Sequence, residues 1–342
     1  MREKITDNLP PENEEKRIRD SGISRVVTKD PELGKLGLKI FKDIFENKQL
    51  FEGSPEREKT EIELSLIRQI NERLKPFVER YGGEFIKVRP ENIHILDPKK
   101  MSKEWWKIFK ERFGEGDRGA CFTFGQSITM ILIRGEDEYC FSEALSHELM
   151  HLNSFHSVDV RDRNEEVGFR ERRTGMVVIS KEGNKAYFQG INEAITEELT
   201  VRFARDNFSD FPELREGIDS RKSFAESFGE NKPDLANIVI RSFQRKGRLW
   251  MYSIGDVKIY ERERKYLKDV VASIFEKNRG RFPSEEDVFE IFVRAYFSGK
   301  MLELAKLVED TFGRGAFRKM GEEMAQGINE IPEMSFGKDT AE

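Results

Sequence analysis

Two of the four histidines in this chain of 342 residues are four positions apart, and a glutamate directly follows the first of them. They are His147 and His151, with Glu148 between them, in the segment SHELMH. Four residues advance an α-helix by about 400°, so residues at this spacing lie one turn apart on one face. The spacing therefore predicts a helix on which two imidazoles can reach the same metal ion.

The apolar residues around this segment follow the same helical period. They predict a helix from Phe141 to about Phe155, with Ser142 as the N-cap. Its apolar stripe consists of Phe141, Leu145, Leu149 and Leu152. On this helix Glu148 can accept a proton from a metal-bound water without binding the ion, which is the general-base role in metal-assisted hydrolysis.

A catalytic zinc site usually has three protein ligands, so the two histidines need a third partner. His156 is five residues beyond His151, about 140° further round the helix, and is expected at the helix C-terminus, where the dipole favours it. Cys140 precedes His147 by seven residues, which is two helical turns, and is expected to be a core thiol. Neither residue is placed to share the ion.

The remaining candidate is Glu193, in the segment NEAITE at the start of a helix expected from about Asn192 to Arg205. Glu193 and Glu197 are four residues apart and so face the same side of that helix. The first carboxylate can bind the metal, and the second can accept the free N–H of a ligating imidazole. The alternative is a solvated acidic face, since the chain has 64 acidic residues.

Together, HExxH and a later NExxTE resemble the pattern of the gluzincin metallopeptidases. The resemblance implies a zincin-like fold in which Zn²⁺ is bound by His147, His151 and Glu193. It also implies that Glu148 is the general base and that Glu197 is the partner of a ligating histidine. The matching segments cover less than a fifth of the chain. The chain resembles still more a group of bacterial zincin-like proteins in which a hairpin separates the two helices.

Gluzincins commonly use a tyrosine or histidine to stabilise the oxyanion of the tetrahedral intermediate. Tyr260, at the start of a predicted C-terminal helix, is the first candidate for this catalytic role, and Tyr187 is the second. For Tyr260 the alternative is a partly buried core residue with a bonded hydroxyl. His94 is expected to be an ordinary strand residue.

The pattern before the active-site helix predicts one helix and several short strands. Apolar residues at intervals of three or four predict the helix, and short β-branched or aromatic runs predict a small, mostly antiparallel sheet with a hairpin. The helix is predicted over 56–80, and the strands over 84–88, 92–96, 120–124 and 127–133. The charged stretch from Ser157 to Arg173 is expected to be an exposed loop, followed by a second hairpin over 175–189.

The C-terminal pattern is mostly helical, with helices expected over 235–243, 260–275 and 283–307. The order of elements predicts an α+β fold in which the sheet packs on the HExxH helix, with a helical C-terminal lobe. The predicted organisation is a disordered arm at 1–30, a zincin-like domain at 31–326 and a flexible tail at 327–342. The domain divides into an α+β part with the metal site at 31–205 and the helical lobe at 206–326.

The charged residues are mixed along the chain, and 59 basic against 64 acidic residues give a net charge of −5. No basic stripe stands out, so nucleic acid is not expected as a partner. No segment approaches the ~18 apolar residues of a transmembrane helix, and the first residues lack the apolar region of a signal peptide. The expectation is a cytoplasmic protein without a membrane partner.

These observations predict a zinc-dependent hydrolase, most simply a metalloendopeptidase that acts on a peptide or protein substrate. In zincins generally, an extended peptide binds to the free edge of a strand before the active-site helix; here that would be Ser127 to Ile133. The main alternative is a catalytically silent zinc protein that acts in partner binding. A third interpretation is a metal-free helical interaction protein, and the oligomeric state is left open.

Overall fold

The computed structural model describes most of the chain from residue 23 onwards. The described residues are 23, 25–28, 30–46, 55–97, 99–103, 107, 119–122, 127–131, 137–163, 166–229, 235, 238–245, 248–254, 260–327 and 334–337. Most of the predicted N-terminal arm, residues 1–22, lies outside this set, as do 328–333 and 338–342 of the predicted tail.

The described helices alternate with strands in the first half of the chain and dominate the second half. They are α1 Pro31–Glu46, α2 Glu61–Arg80, α3 Glu138–Leu152, α4 Gln189–Asn207, α5 Arg215–Glu226, α6 Glu261–Lys277, α7 Glu285–Ser298, α8 Met301–Phe312 and α9 Ala316–Glu323. None of them combines the length and the apolar character that crossing a membrane requires.

The described strands form three separate sheets. They are β1 Arg25–Val27, β2 Ile93–Leu96, β3 Gly119–Phe122, β4 Ser127–Ile131, β5 His156–Arg163, β6 Glu166–Thr174, β7 Val177–Ile179, β8 Lys185–Tyr187, β9 Val239–Arg245, β10 Arg248–Ile254, β11 Gln326–Gly327 and β12 Met334–Gly337. The largest sheet has the order β1-β5-β6-β7-β8-β11, with β12 also paired to β6, while β2-β4-β3 and β9-β10 form the other two. The predicted mixed α+β class is confirmed.

Helix α2 begins five residues later than predicted because a capping box starts it. The side chain of Thr60 accepts from the backbone N–H of Glu63, and the Glu63 carboxylate accepts from the backbone N–H of Thr60. The helix then buries Leu66, Ile70 and Leu74. These residues belong to an apolar cluster that also contains residues of α3, α4 and the C-terminal helices, so the two predicted parts of the domain share a core.

The small sheet beside α3 differs from the prediction in two ways. Strand β4 is central, since it pairs parallel to β2 and antiparallel to β3. The prediction that Ser127 to Ile133 forms a free edge is therefore wrong, and so is a mostly antiparallel arrangement of this sheet. Strands β2 and β3 are the two ends of this sheet, but β2 also bridges to Glu56 on its other side, so among the described residues β3 is the outer strand that pairs on one side only.

The strand predicted over 84–88 does not form. Its backbone N–H groups instead donate to side-chain amides: Ile86 to Oδ1 of Asn153 at 2.6 Å, and Val88 to Oδ1 of Asn71 at 3.1 Å. Both amides belong to helices or their ends, so this segment is attached to α2 and α3 rather than to a strand.

The prediction of a loop from Ser157 to Arg173 is also wrong, because this stretch forms the long hairpin β5–β6. Alternate residues of the hairpin are apolar and pack with Ile40 of α1 in a second, smaller core. They are Val158, Val160, Val167 and Phe169. The charged residues between them obscure this alternation in the sequence; one of them, Arg161, donates to Asp159 at 2.8 Å.

The large sheet also includes short segments from both ends of the chain. Arg25–Val27, within the predicted arm, pairs parallel to β5, and Met334–Gly337, within the predicted tail, pairs antiparallel to β6. Strand pairing satisfies the backbone groups of these segments, and Val26 also packs against the smaller core.

The C-terminal part is helical, as expected, apart from the hairpin β9–β10, which replaces the helix predicted over 235–243. The long helix predicted over 283–307 is two helices, α7 and α8. The break falls at Gly299, which has a φ of 74°. A Cβ at Gly299 would lie 2.5 Å from the ring of Phe155, so the close approach of these segments requires glycine as well as the left-handed backbone.

Helix α3 begins at Glu138, with Asp137 rather than Ser142 as its N-cap. The Asp137 side chain accepts from the backbone N–H of Cys140 at 3.1 Å and from two guanidinium nitrogens of Arg221, at 2.5 and 3.0 Å. Arg221, on α5, is fully buried, and it places the start of α3 against the C-terminal part. Burial raises the pKa of Asp137, but the hydrogen bonds and positive charge of Arg221, together with the hydrogen bonds from Cys140, outweigh burial and hold that pKa below its usual range.

Candidate metal centre

The two histidines of α3 face one point, as their spacing predicts. Their Nε2 atoms are 3.1 Å apart, and the rings meet edge to face with centroids 4.8 Å apart. Both side chains are 13% exposed. The helix therefore presents two imidazole nitrogens at the rim of the core, where water or an ion can still reach them.

Glu193, in the second turn of α4, completes a group of three ligand atoms. Its Oε2 lies 3.2 Å from Nε2 of His151 and 3.6 Å from Nε2 of His147. A tetrahedral zinc ion with bonds of about 2.0–2.1 Å holds its ligand atoms about 3.3–3.4 Å apart. The spacing of the three atoms fits such an ion.

The contact with Glu197 determines which ring nitrogen of His147 carries the proton and which has a lone pair for a metal ion. Its Oε2 lies 3.0 Å from Nδ1 of His147, and a carboxylate can only accept a hydrogen bond, so Nδ1 carries the proton. A neutral His147 then directs the lone pair of Nε2 at the point shared with His151 and Glu193. This is the tautomer that a metal ligand requires.

The electrostatics of the site favour a cation. Burial lowers the pKa of His147, but the hydrogen bonds that its ring donates to Glu193 and Glu197, with the charge of Glu148 nearby, outweigh burial and raise that pKa well above its usual range. Burial raises the pKa of Glu193, but attraction to the two histidines and the hydrogen bonds from them together outweigh burial, and the net shift is downward. Three carboxylates, including Glu148, surround two imidazoles, so a bound dication would replace protons as the balancing charge.

The side chain of Glu148 lies against β3 of the small sheet and is near enough to His147 to raise the pKa of that histidine. A Cβ built on Gly119 of β3 would lie 2.8 Å from both Cγ and Oε1 of Glu148, so the glycine allows this carboxylate to lie directly on the outer strand. Glu148 is 8% exposed. The sequence singles out Glu148, but nothing in it indicates Gly119.

Tyr260 comes to the same site from the C-terminal part of the chain. Its ring lies parallel to that of His147, with an interplanar angle of 14° and centroids 6.0 Å apart. Its φ of 53° is in the left-handed region, which costs a non-glycine residue about 1–3 kcal/mol and is concentrated at functional sites. The structure thus brings together Tyr260, the two histidines, Glu148 and Glu193.

The other candidates from the sequence lie outside this group. Tyr187 is in β8, with the ammonium of Lys185 over its ring. His94 is in β2, with Nδ1 3.0 Å from Glu56, and Cys140 is buried.

His156 follows α3, and its Nε2 donates to the carbonyls of His151 and Leu152, each at 3.1 Å. His156 is the first residue of β5 rather than a residue of the helix, but its ring lies at the C-terminus of α3 as predicted. Burial lowers the pKa of His156 to about 4, so this histidine is neutral at pH 7.

Sequence reasoning missed the residues that orient the ligands. Gln189 donates to Oε1 of Glu193 at 2.6 Å and leaves Oε2 directed at the histidines. Its position follows from Phe188, whose left-handed backbone precedes α4 and whose N–H donates to the carbonyl of Gly321 at 3.0 Å. The contacts of His151 with Thr196 and Asn192 were also missed. Thr196 and Asn192 lie within the NEAITE segment, but Gln189 carries no signal in the sequence.

Comparison with known protein families, curated proteins and solved structures finds no match to this chain. The functional argument therefore depends on the residues and their geometry.

Proposed function

We propose that this protein is a zinc-dependent hydrolase of zincin-like fold, most simply a metalloendopeptidase. The observation that carries the proposal is the triangle of ligand atoms from His147, His151 and Glu193, with Glu148 beside it on the same helix. A structural zinc site has no use for that further carboxylate, whereas a hydrolytic site needs a base next to the ion.

A zinc ion bound by these three residues would supply Lewis-acid chemistry, acidifying a water molecule and polarising a carbonyl oxygen. The chain supplies the remaining functions. Glu148 accepts a proton from the attacking water and returns it to the leaving nitrogen, so one carboxylate acts first as base and then as acid. Tyr260, beside His147, is the candidate donor to the oxyanion.

The substrate path follows from the position of β3. An extended peptide that adds to the outer edge of this strand gains main-chain hydrogen bonds and passes Glu148 at Gly119. The proposed path therefore uses β3 in place of the strand expected from the sequence, β4, which is paired on both sides.

Gly119→Ala tests the position of Glu148 against β3. A Cβ at 2.8 Å from Cγ of Glu148 forces the carboxylate away from its position, and a displacement of about 1 Å in a catalytic group is expected to lower kcat/KM by about tenfold or more. Zinc affinity is expected to stay unchanged, because the three atoms nearest to the new methyl group all belong to Glu148 and none to a ligand. Equal loss of zinc and activity would show that Gly119 supports the fold rather than the position of Glu148.

The proposal as a whole is tested by metal content and peptide cleavage. Purified protein is expected to contain stoichiometric zinc by mass spectrometry of the metal, to cleave casein or members of a peptide library, to lose cleavage with a zinc chelator and to regain it with zinc. Glu193→Gln is expected to lose stoichiometric zinc. The matched control is Glu198→Gln, since Glu198 is on the same helix but pairs with Arg202 and Arg264.

The outcomes separate the alternatives. Wild-type protein without stoichiometric zinc would contradict the proposal and favour the alternative of a metal-free helical interaction protein. Zinc without cleavage of any peptide would favour the catalytically silent zinc protein.

A further inference from the structure

The hydroxyl of Thr196 has three polar neighbours. Oγ1 lies 2.8 Å from the carbonyl oxygen of Asn192, 2.9 Å from Oη of Tyr296 and 3.4 Å from Nδ1 of His151. The carbonyl can only accept, so the single hydrogen of Thr196 is directed at Asn192. Both lone pairs of Oγ1 are then left to accept hydrogen bonds, and Tyr296 is the donor to one of them.

His151 needs the other lone pair. A histidine that binds metal through Nε2 carries its proton on Nδ1 and donates it to a nearby acceptor. The second neighbour of Nδ1 is Nδ2 of Asn192, also at 3.4 Å. The amide of Asn192 is held in this orientation because its Oδ1 accepts from the backbone of Met176 at 2.9 Å. That amide is a donor, so Thr196 is the acceptor of the two.

Tyr296 is well placed to hold this arrangement. It lies on α7, one hundred residues from Thr196 in the sequence, and has no exposed surface. A Cβ at Gly175 would lie 2.8 Å from its ring and 2.4 Å from Oδ1 of Asn192, so the turn before β7 packs tightly against both residues.

We propose that Thr196 is the positioning residue for His151, as Glu197 is for His147, and that Tyr296 acts through Thr196. Helix α7 is therefore part of the metal centre, although it supplies no ligand. The inference rests on the proposed function, since it requires that His151 binds metal.

The test is zinc affinity, measured by competition with a chromophoric chelator on the full chain. Thr196→Val keeps the shape and removes the acceptor, and it is expected to weaken zinc binding by about tenfold, the lower end of the range for partners of metal ligands. Thr196→Ser keeps the hydroxyl and is expected to stay within about twofold of wild type.

The matched control is Thr200→Val. Thr200 is buried one turn further along α4 and donates to a backbone carbonyl at 2.8 Å, but it does not contact His151. Loss of the Thr200 hydroxyl is expected to lower the free energy of unfolding, measured with chelator present. Zinc affinity is expected to stay unchanged. This separates a positioning role from a structural one.

Tyr296→Phe is expected to weaken zinc binding by about threefold, because it removes one donor and leaves the acceptor in place. The double variant Tyr296→Phe with Thr196→Val is expected to be no weaker than Thr196→Val alone, since Tyr296 acts through Thr196. If Thr196→Val does not fold, Tyr296→Phe and Thr196→Ser carry the comparison.

Equal affinity of Thr196→Val and Thr200→Val for zinc, with wild type binding stoichiometrically, would overturn this inference and leave the proposed function standing. Additive losses in the double variant would overturn the role of Tyr296. Wild-type protein that binds no zinc would overturn both the inference and the proposed function.

Discussion

Replacing Glu148 with glutamine is expected to lower kcat/KM for peptide hydrolysis by about a thousandfold, within the range that general-base catalysis supplies. Glutamine matches glutamate in shape and can occupy the same space beside Gly119, but its neutral amide cannot take a proton from water. Zinc stoichiometry is expected to remain that of wild type, because Glu148 is not among the three ligand residues.

The measurement is the rate of cleavage of the best peptide from a library, with metal content determined on the same samples. The control is Glu138→Gln, which makes the same chemical change on an exposed residue at the start of α3. Full activity in Glu148→Gln would show that another group activates the water, and loss of zinc together with activity would show that Glu148 supports the metal site itself.

Arg221→Met is expected to lower the free energy of unfolding by about 3 kcal/mol, the lower end of the range for breaking a buried ion pair. The guanidinium also donates to the carbonyl of Ile238 at 2.9 Å and lies over the ring of Tyr139 at 3.9 Å. Methionine fills part of the volume but leaves the carboxylate of Asp137 without its cationic partner. Because that carboxylate is 22% exposed, water compensates for part of the loss.

The midpoint and slope of urea unfolding measure this effect, with Arg215→Met as the control. Arg215 is exposed on the same helix, and its replacement is expected to change stability by no more than about 0.5 kcal/mol. A loss below about 1 kcal/mol for Arg221→Met would contradict the view that this pair holds the start of α3 against α5.

Local patterns in the sequence predicted the two helices that carry the candidate site, but α1, α5 and α9 were not predicted. Helix α3 follows from an apolar stripe and histidine spacing, and α4 from a segment whose acidic residues share a face. The period of a helix is a property of a short stretch, so it can be read without tertiary information. The strands were harder, because charged residues between Val158 and Phe169 concealed an alternation that only packing against α1 makes visible.

Caps and breaks also depended on distant residues. Ser142 is an N-cap residue by type, yet Asp137 starts α3, where Arg221 stabilises its carboxylate. Similarly, the break at Gly299 follows from the ring of Phe155 nearby. Such positions are decided by contacts that join residues far apart in the chain, and the local sequence does not contain them.

For the candidate site, the sequence by itself determined which side chains are the candidates: two imidazoles on one helical face, a carboxylate between them and a pair of carboxylates one turn apart on a second helix. Only the tertiary structure decided that Glu193 lies within reach of both histidines, that β3 rather than β4 is the outer strand, and that Tyr260 and Tyr296 come to the site from the C-terminal part. The physical reason is range. Helical spacing is set by neighbouring peptide units, whereas the distances between α3, α4 and α7 are set by the close packing of a core to which the whole chain contributes.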